Sequence, residues 1–168
     1  GKYGKIDSEA RVREFLDVID FADPDLPTER PAISIPGQLV GLSSDGSFLY
    51  LLGSSGLAYS ADWSNQKEAL FACTYDGVGA YQVTSLALPK TWPRPVRVDK
   101  GNVFLGRAAA DEKGTHSIES WSLSDTGRFV FNASAAVKDP ASEIVCFGGL
   151  LALQGSLGGV AMFDASDP

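Results

Sequence analysis

The chain has one histidine and two cysteines among 168 residues, and that scarcity removes several chemistries at once. No HxH, HExxH or CxxC occurs, so a zinc site or a histidine-centred triad lacks the companions that its chemistry needs. No GxGxxG or Walker-type loop is present to cradle a phosphate. The stretch 153–159 (LQGSLGG) has the glycines of such a loop but neither the Lys-Ser/Thr end nor a following helix, and it reads as a hairpin turn. Basic residues are outnumbered, 14 Lys and Arg against 21 Asp and Glu, for a formal charge of −7. Without a Lys/Arg cluster there is no stripe to track a nucleic-acid backbone, and a nucleic-acid partner is not expected. EF-hand spacing is absent. Carboxylate pairs such as Asp23/Asp25 and Asp164/Asp167 sit in Pro-containing turns, where Asp accepts from nearby backbone N–H groups. Neither a metal nor a cofactor is expected.

The two cysteines, Cys73 and Cys146, lie in separate apolar segments and read as buried free thiols, not a bridge. The opening Gly1-Lys2-Tyr3-Gly4 reads as the interior of a longer chain or an engineered junction, and not as a secretory leader. Residues 144–163 run without a charge for the length of a membrane helix. Five glycines and Gln154 interrupt that run, so it is expected to form hairpins and no membrane span.

What the chain does have is turn chemistry in phase. Asp23-Pro24, Asp76-Gly77, Asp125-Thr126-Gly127 and Asp167-Pro168 form one series. Asp45-Gly46, Lys100-Gly101 and Gly148-Gly149 form a second, and Gly4, Gly56, Gly114 and Gly158 a third. Within each series the interval is about 42 to 58 residues, a period that suits units of four short strands. Between the turns lie short aromatic and aliphatic runs: 39–43, 47–52, 57–63 and 69–75 in one unit, with 64–68 (SNQKE) as a polar insertion. In the next they are 95–98, 102–106, 115–123 and 128–133; in the last, 144–147, 150–154 and 159–163. The expected fold is all-β, made of four-stranded antiparallel β-propeller blades, with approximate units at 5–56, 57–114 and 115–158 and a remainder at 159–168. Three blades do not close a ring, so a partial propeller is expected, completed by further blades or by a second copy. A closed sandwich or barrel of about ten strands, with an accidental repeat, is the competing architecture. Residues 12–21 are ambiguous. Val12, Phe15, Leu16 and Ile19 fit helical spacing with Ser8 as cap, while 15–21 fits a strand with Phe15, Ile19 and Phe21 on one side. The turn register favours the strand, with a helical lead-in at 8–14.

The segments 16–24 (LDVIDFADP) and 160–168 (VAMFDASDP) resemble the strand-and-turn of secreted bacterial propeller repeats of the LVIVD type. The order 31–35, 39–42, Asp45-Gly46 and 48–52 follows the same style. Ser122-Leu123-Ser124-Asp125-Thr126-Gly127 with Phe131 is similar to quinoprotein-type blades, although that family carries Trp where Phe131 stands. The resemblance implies a propeller in an extracytoplasmic (secreted or periplasmic) setting, and it carries no activity with it.

Loops that join one blade to the next, and loops between a blade's second and third strands, share one mouth of a propeller. Here these are 36–38, 89–95 and 138–143, with 53–56, 107–114 and 155–158. Their polar and aromatic residues Gln38, Trp92, Arg94, Arg107, Asp111, His116 and Glu143 form the candidate binding surface. Trp63 and Trp121 read as blade-packing residues, whereas Trp92 lies in a rigid Pro-flanked loop beside Arg94. Asn132-Ala133-Ser134 is a glycosylation sequon if the source is eukaryotic and secreted. No convergent catalytic set accompanies these residues. The functional expectation is a non-enzymatic binding or scaffold module that takes a protein or glycan through its loop face. The alternative is a portion of a propeller enzyme, a quinoprotein-like oxidoreductase or a hydrolase, with catalytic residues partly outside this chain.

Overall fold

The computed structural model describes residues 14–54, 68–91, 95–109 and 114–165, and every regular element in them is a β-strand. The described residues begin with a bulged hairpin. Strands β1 (Glu14–Leu16) and β2 (Ile19–Asp20) run out; β3 (Thr28–Glu29) and β4 (Ile33–Ile35) return. Leu16 lies opposite Ile33 and Ile19 opposite Glu29, with Arg30 N–H donating to Val18 O at 2.9 Å between them. The single strand expected over 15–21 is therefore split by a one-residue shift in register. Glu14 already belongs to β1, so the helical lead-in does not extend to it; residues 8–13 lie outside the described residues.

Three antiparallel meanders follow. The first is β5 (Gln38–Leu42), β6 (Phe48–Ser54), β7 (Glu68–Tyr75) and β8 (Ala80–Ala87). The second is β9 (Val96–Asp99), β10 (Asn102–Arg107), β11 (His116–Leu123) and β12 (Phe129–Val137). The third is β13 (Ala141–Phe147), β14 (Leu150–Gly155) and β15 (Val160–Asp164). In each sheet the strands pair in chain order. Two sheets thus have the expected four strands, and the third has three among the described residues. Among the described residues they are separate sheets, and no strand pairing closes them into a barrel. The strand expected at 57–63 lies outside the described residues. Glu68, assigned to the polar insertion, instead pairs with Ser54 at the start of β7.

The turn series fall at equivalent hairpins. Asp45-Gly46, Lys100-Gly101 and Gly148-Gly149 each join the first strand of a sheet to its second. Lys100 and Gly101 have φ of 48° and 84°, and Gly148 and Gly149 have 58° and 83°. Two consecutive left-handed residues make the tight hairpin turn whose twist suits the flanking strands. Asp76-Gly77 and Asp125-Thr126-Gly127 join third strands to fourth, and Gly114 and Gly158 lie between second and third strands.

Alternation along the central strands explains how the layers pack. In β6, Leu49 and Leu51 face the opening hairpin, where they meet Ile35, Cys73, Leu16 and Ile33. Tyr50, between them, faces the second sheet and packs with Leu70, Ala72, Val98 and Val103. In β10, Val103 faces back to that cluster while Phe104 faces forward, joining Ile118, Ile144, Leu151 and Leu153. β6 and β10 are buried on both faces, which is why 48–52 and 103–105 are uninterrupted apolar runs and not alternating ones. The first strands lie side by side, β9 against both β5 and β13.

Cys73 and Cys146 are both free, Cys73 buried in the first sheet and Cys146 only half-buried in the third. Burial pushes both thiols up from their usual pKa. Residues 144–163 form β13–β15 with their turns, and no helix among the described residues is long and apolar enough to cross a membrane. Trp121 packs into the core between the first two sheets, edge-on to Phe131 at 5.3 Å; Trp63 lies outside the described residues.

Candidate functional surface

The sheets have two distinct ends. At one, the turns between first and second strands line up: Tyr50 reaches the Gly101 carbonyl of the next sheet at 3.4 Å. At the other, the connections into each sheet meet the loops between its second and third strands. Thr91 Oγ1 donates to Ala108 O at 2.9 Å there. A proline in front of each first strand rests on the end of the second. Gly106 N–H donates to Pro95 O and Ser156 N–H to Pro140 O, both at 2.9 Å. A Cβ added to Gly106 would stand 2.8 Å from the Pro95 ring, and one on Gly53 would collide with the Pro36 carbonyl. This Pro-to-Gly closure is a further in-phase signal that the sequence reading missed. Pro36/Gly53 and Pro95/Gly106 both stand in the sequence, but their partnership is a tertiary contact; in the third sheet Pro140 is met by Ser156 and Gly155 lies against Asp139.

Four of the seven sequence candidates are described at this end. Gln38 opens β5 and is exposed. Glu143 lies exposed in β13, opposite Gln154 and beside a bulge. Arg107 closes β10 and His116 opens β11, so one hairpin brings these two together, whereas Gln38 and Glu143 stand on the first strands of different sheets. Trp92, Arg94 and Asp111 lie outside the described residues.

The polar groups of this hairpin are committed to each other. Arg107 makes a two-pronged contact with Glu119, Nε to Oε1 at 2.7 Å and Nη2 to Oε2 at 3.0 Å. Trp121 Nε1 donates to the same Oε2 at 3.1 Å. Glu119 is largely buried, and the planar guanidinium matches both of its oxygens. The His116 ring accepts the Ala109 N–H at Nδ1, 2.9 Å away, and bridges the two sides of its loop. Glu119 was not among the sequence candidates. Its signal is a carboxylate between the buried Ile118 and Ser120, opposite Leu105 and two pairs from Arg107.

The turn end carries polar clefts that the sequence reading did not single out. One of about 480 Å³ is lined by Ser43, Asp45, Lys100, Asn102, Ser124 and Asp125. A second, of about 380 Å³, is shared by Asp99, Lys100, Asn102, Cys146 and Gly149. Gln38, Arg107, His116 and Glu143 line neither. Asp45 is held by its own turn: it accepts the Ser43 hydroxyl at 2.6 Å, the Ser47 hydroxyl at 2.8 Å and the Ser47 N–H at 3.1 Å. These donors stabilise the carboxylate and lower its pKa to about 2. Asp76 is lowered likewise by the N–H groups of Gly79 and Val78. Both are turn-builders. Among the described residues, no group of three or more His, Cys, Asp or Glu is placed to hold a metal ion.

No protein-family model matches the chain, and neither a curated protein nor a solved structure matches it.

Proposed function

We propose that the chain is a non-enzymatic binding or scaffold module built of β-propeller-type blades, which offers its connection end to a protein or glycan partner in an extracytoplasmic setting. The observation that carries this reading is the repetition of one meander in successive layers. First strands lie side by side, and connecting loops gather at one end. A scaffold that holds loops on rigid sheets is the usual platform for recognition. The polar side chains at that end point the same way. Arg107 is paired with Glu119, which also accepts from Trp121, and His116 accepts a backbone amide. They stiffen the loops and do not converge on a reacting atom.

The test is binding of the purified chain to a glycan panel and to candidate secreted proteins. A ligand whose affinity falls at least tenfold in Gln38→Ala or Glu143→Ala, and is unchanged in Asp45→Ala at the opposite end, supports the reading. Turnover of a substrate by the chain, lost in Arg107→Ala, overturns it in favour of an enzyme.

A further inference from the structure

At the turn end, the cleft between the first and second sheets has a volume of about 480 Å³, within the usual range for a small-molecule site. Both sheets are described without a break at this end; residues 55–67, 92–94 and 110–113 leave them at the other. The wall from the first sheet has bonding capacity that its own turn does not use. The three donors to Asp45, the hydroxyls of Ser43 and Ser47 and the Ser47 N–H, all converge on Oδ1. Asp45 Oδ2 takes no bond from another described residue. Tyr50 is only 1% exposed, yet the bond from its hydroxyl to Gly101 O is 3.4 Å long, beyond the usual O–H···O range. No described residue donates to its oxygen.

The second sheet supplies Lys100, Asn102 and Asp125 to the same cleft. Among the described residues, none of these three side chains makes a hydrogen bond or an ion pair. An ammonium and two carboxylates therefore share one cleft without closing on each other, and the space between them suits a molecule that carries both charges. The backbone adds a second sign. Lys100 is the one non-glycine residue with left-handed φ among the described residues, at 48°, whereas the equivalent turn position of the third sheet is Gly148. A lysine kept where glycine fits without strain points to a use for its side chain.

We infer that this cleft binds a free basic amino acid, a small molecule with one carboxylate and two cationic groups. Those charges are the inverse of the lining: the ligand carboxylate meets Lys100 and the Asn102 carboxamide, and its two cationic groups meet Asp45 Oδ2 and Asp125. The Tyr50 oxygen is a further acceptor, and Phe48 borders the cleft where the methylene stem lies. A chain of charge −7 draws in a ligand of net positive charge. A neutral sugar is the lesser occupant, because it leaves all three charged groups without a counter-charge. This site lies at the end opposite to the connection end and stands or falls apart from it.

The probe is L-arginine, titrated calorimetrically into the whole chain at low ionic strength, where exposed charges are least screened. Saturable one-to-one binding is expected. It should weaken at least roughly tenfold for agmatine, which lacks the carboxylate, and for citrulline, which lacks the side-chain charge. Lys100→Gln should lower the affinity for arginine to that of agmatine and leave agmatine binding as it was, whereas Asp125→Asn should weaken both. Neither side chain holds its own turn, so both variants should melt like the parent. Amide NMR shifts on the unmodified chain give a readout independent of any variant's folding. Arginine should move the signals of 43–47 and 100–102 and leave those of Gln38 and Glu143 in place. No saturable binding, agmatine binding as tightly as arginine, or shifts confined to the connection end overturns the inference. So does tighter binding of a neutral disaccharide, which assigns the cleft to a sugar.

Discussion

Between the first and second sheets, Tyr50, Leu70 and Val103 form a core to which fourth strands add bulk from both sides, Leu86 from β8 and Phe129 from β12. Between the second and third sheets, the central strands are equally well buried, with Phe104, Ile118, Leu151 and Leu153. There the fourth-strand contribution is Ala135 and Val137 from β12, and a cavity remains beside them. Among the described residues, the same meander plan thus gives one interface lined by the fourth strands of both its sheets and one lined by a fourth strand of the second sheet alone. The inner and outer strands have separate tasks. First and second strands hold the layers together, and fourth strands determine how the rim is sealed.

The largest test of that contrast lies in the two cores. Leu70→Ala, in the filled interface, should cost about 2–5 kcal/mol in urea unfolding, towards the upper end of that range. Leu151→Ala, beside a space that already exists, should fall towards the lower end. Equal losses would remove the distinction. Next comes the Pro-to-Gly closure, which both sheets share. Gly106→Ala forces a methyl group into the Pro95 ring and should destabilise by about 1–3 kcal/mol, while Pro95→Ala together with Gly106→Ala recovers part of the loss. A smaller effect is expected at Arg107. Arg107→Ala leaves Glu119 with Trp121 as its remaining side-chain partner; the pair is partly exposed, so the loss should be about 1 kcal/mol by thermal melting.

The smallest effect concerns the turn end. Asp45 has a folded pKa of about 2 against its usual 3.8. The unfolded chain binds its proton first as pH falls. The stabilisation from this carboxylate is therefore complete above pH 3.8 and is lost as pH drops towards 2. Asp45→Asn should be less stable than the parent at pH 6, and the difference should shrink across that acidic window. A difference that is constant from pH 6 to pH 2 would show that the carboxylate charge is not what the turn uses.

Much of this was legible in the sequence where the cause is local. A two-residue hairpin needs left-handed backbone, so Lys100-Gly101 and Gly148-Gly149 announce themselves. Asp76-Gly77 does so because Asp76 caps its own turn. Legibility fades where partners are distant. β12 continues to Val137 through Asn132-Ala133-Ser134-Ala135-Ala136, a stretch of weak strand formers, because β11 supplies a ladder along its length. The split of β1 from β2 depends on how 28–35 returns across it. At the candidate surface, Arg107 and His116 were visible as polar residues in a loop region. Their partners Glu119 and the Ala109 amide were not, since only strand pairing brings them within reach. The cavity by Ser120 is harder still, because it arises where Ala133 and Ala135 of one sheet face Phe163 and Ala165 of another.

If these meanders are blades, as proposed, they lie close at their first strands and spread outwards. Pulsed dipolar spectroscopy on spin-label pairs tests it most directly, with Cys146 replaced by Ser to avoid stray labelling. One pair joins the first strands of adjacent sheets at Gln38 and Arg97; the other joins their fourth strands at Gln82 and Asn132. A clearly shorter mean distance is expected for the first-strand pair. Equal distances would mean sheets stacked flat on one another, and would contradict a propeller-type arrangement.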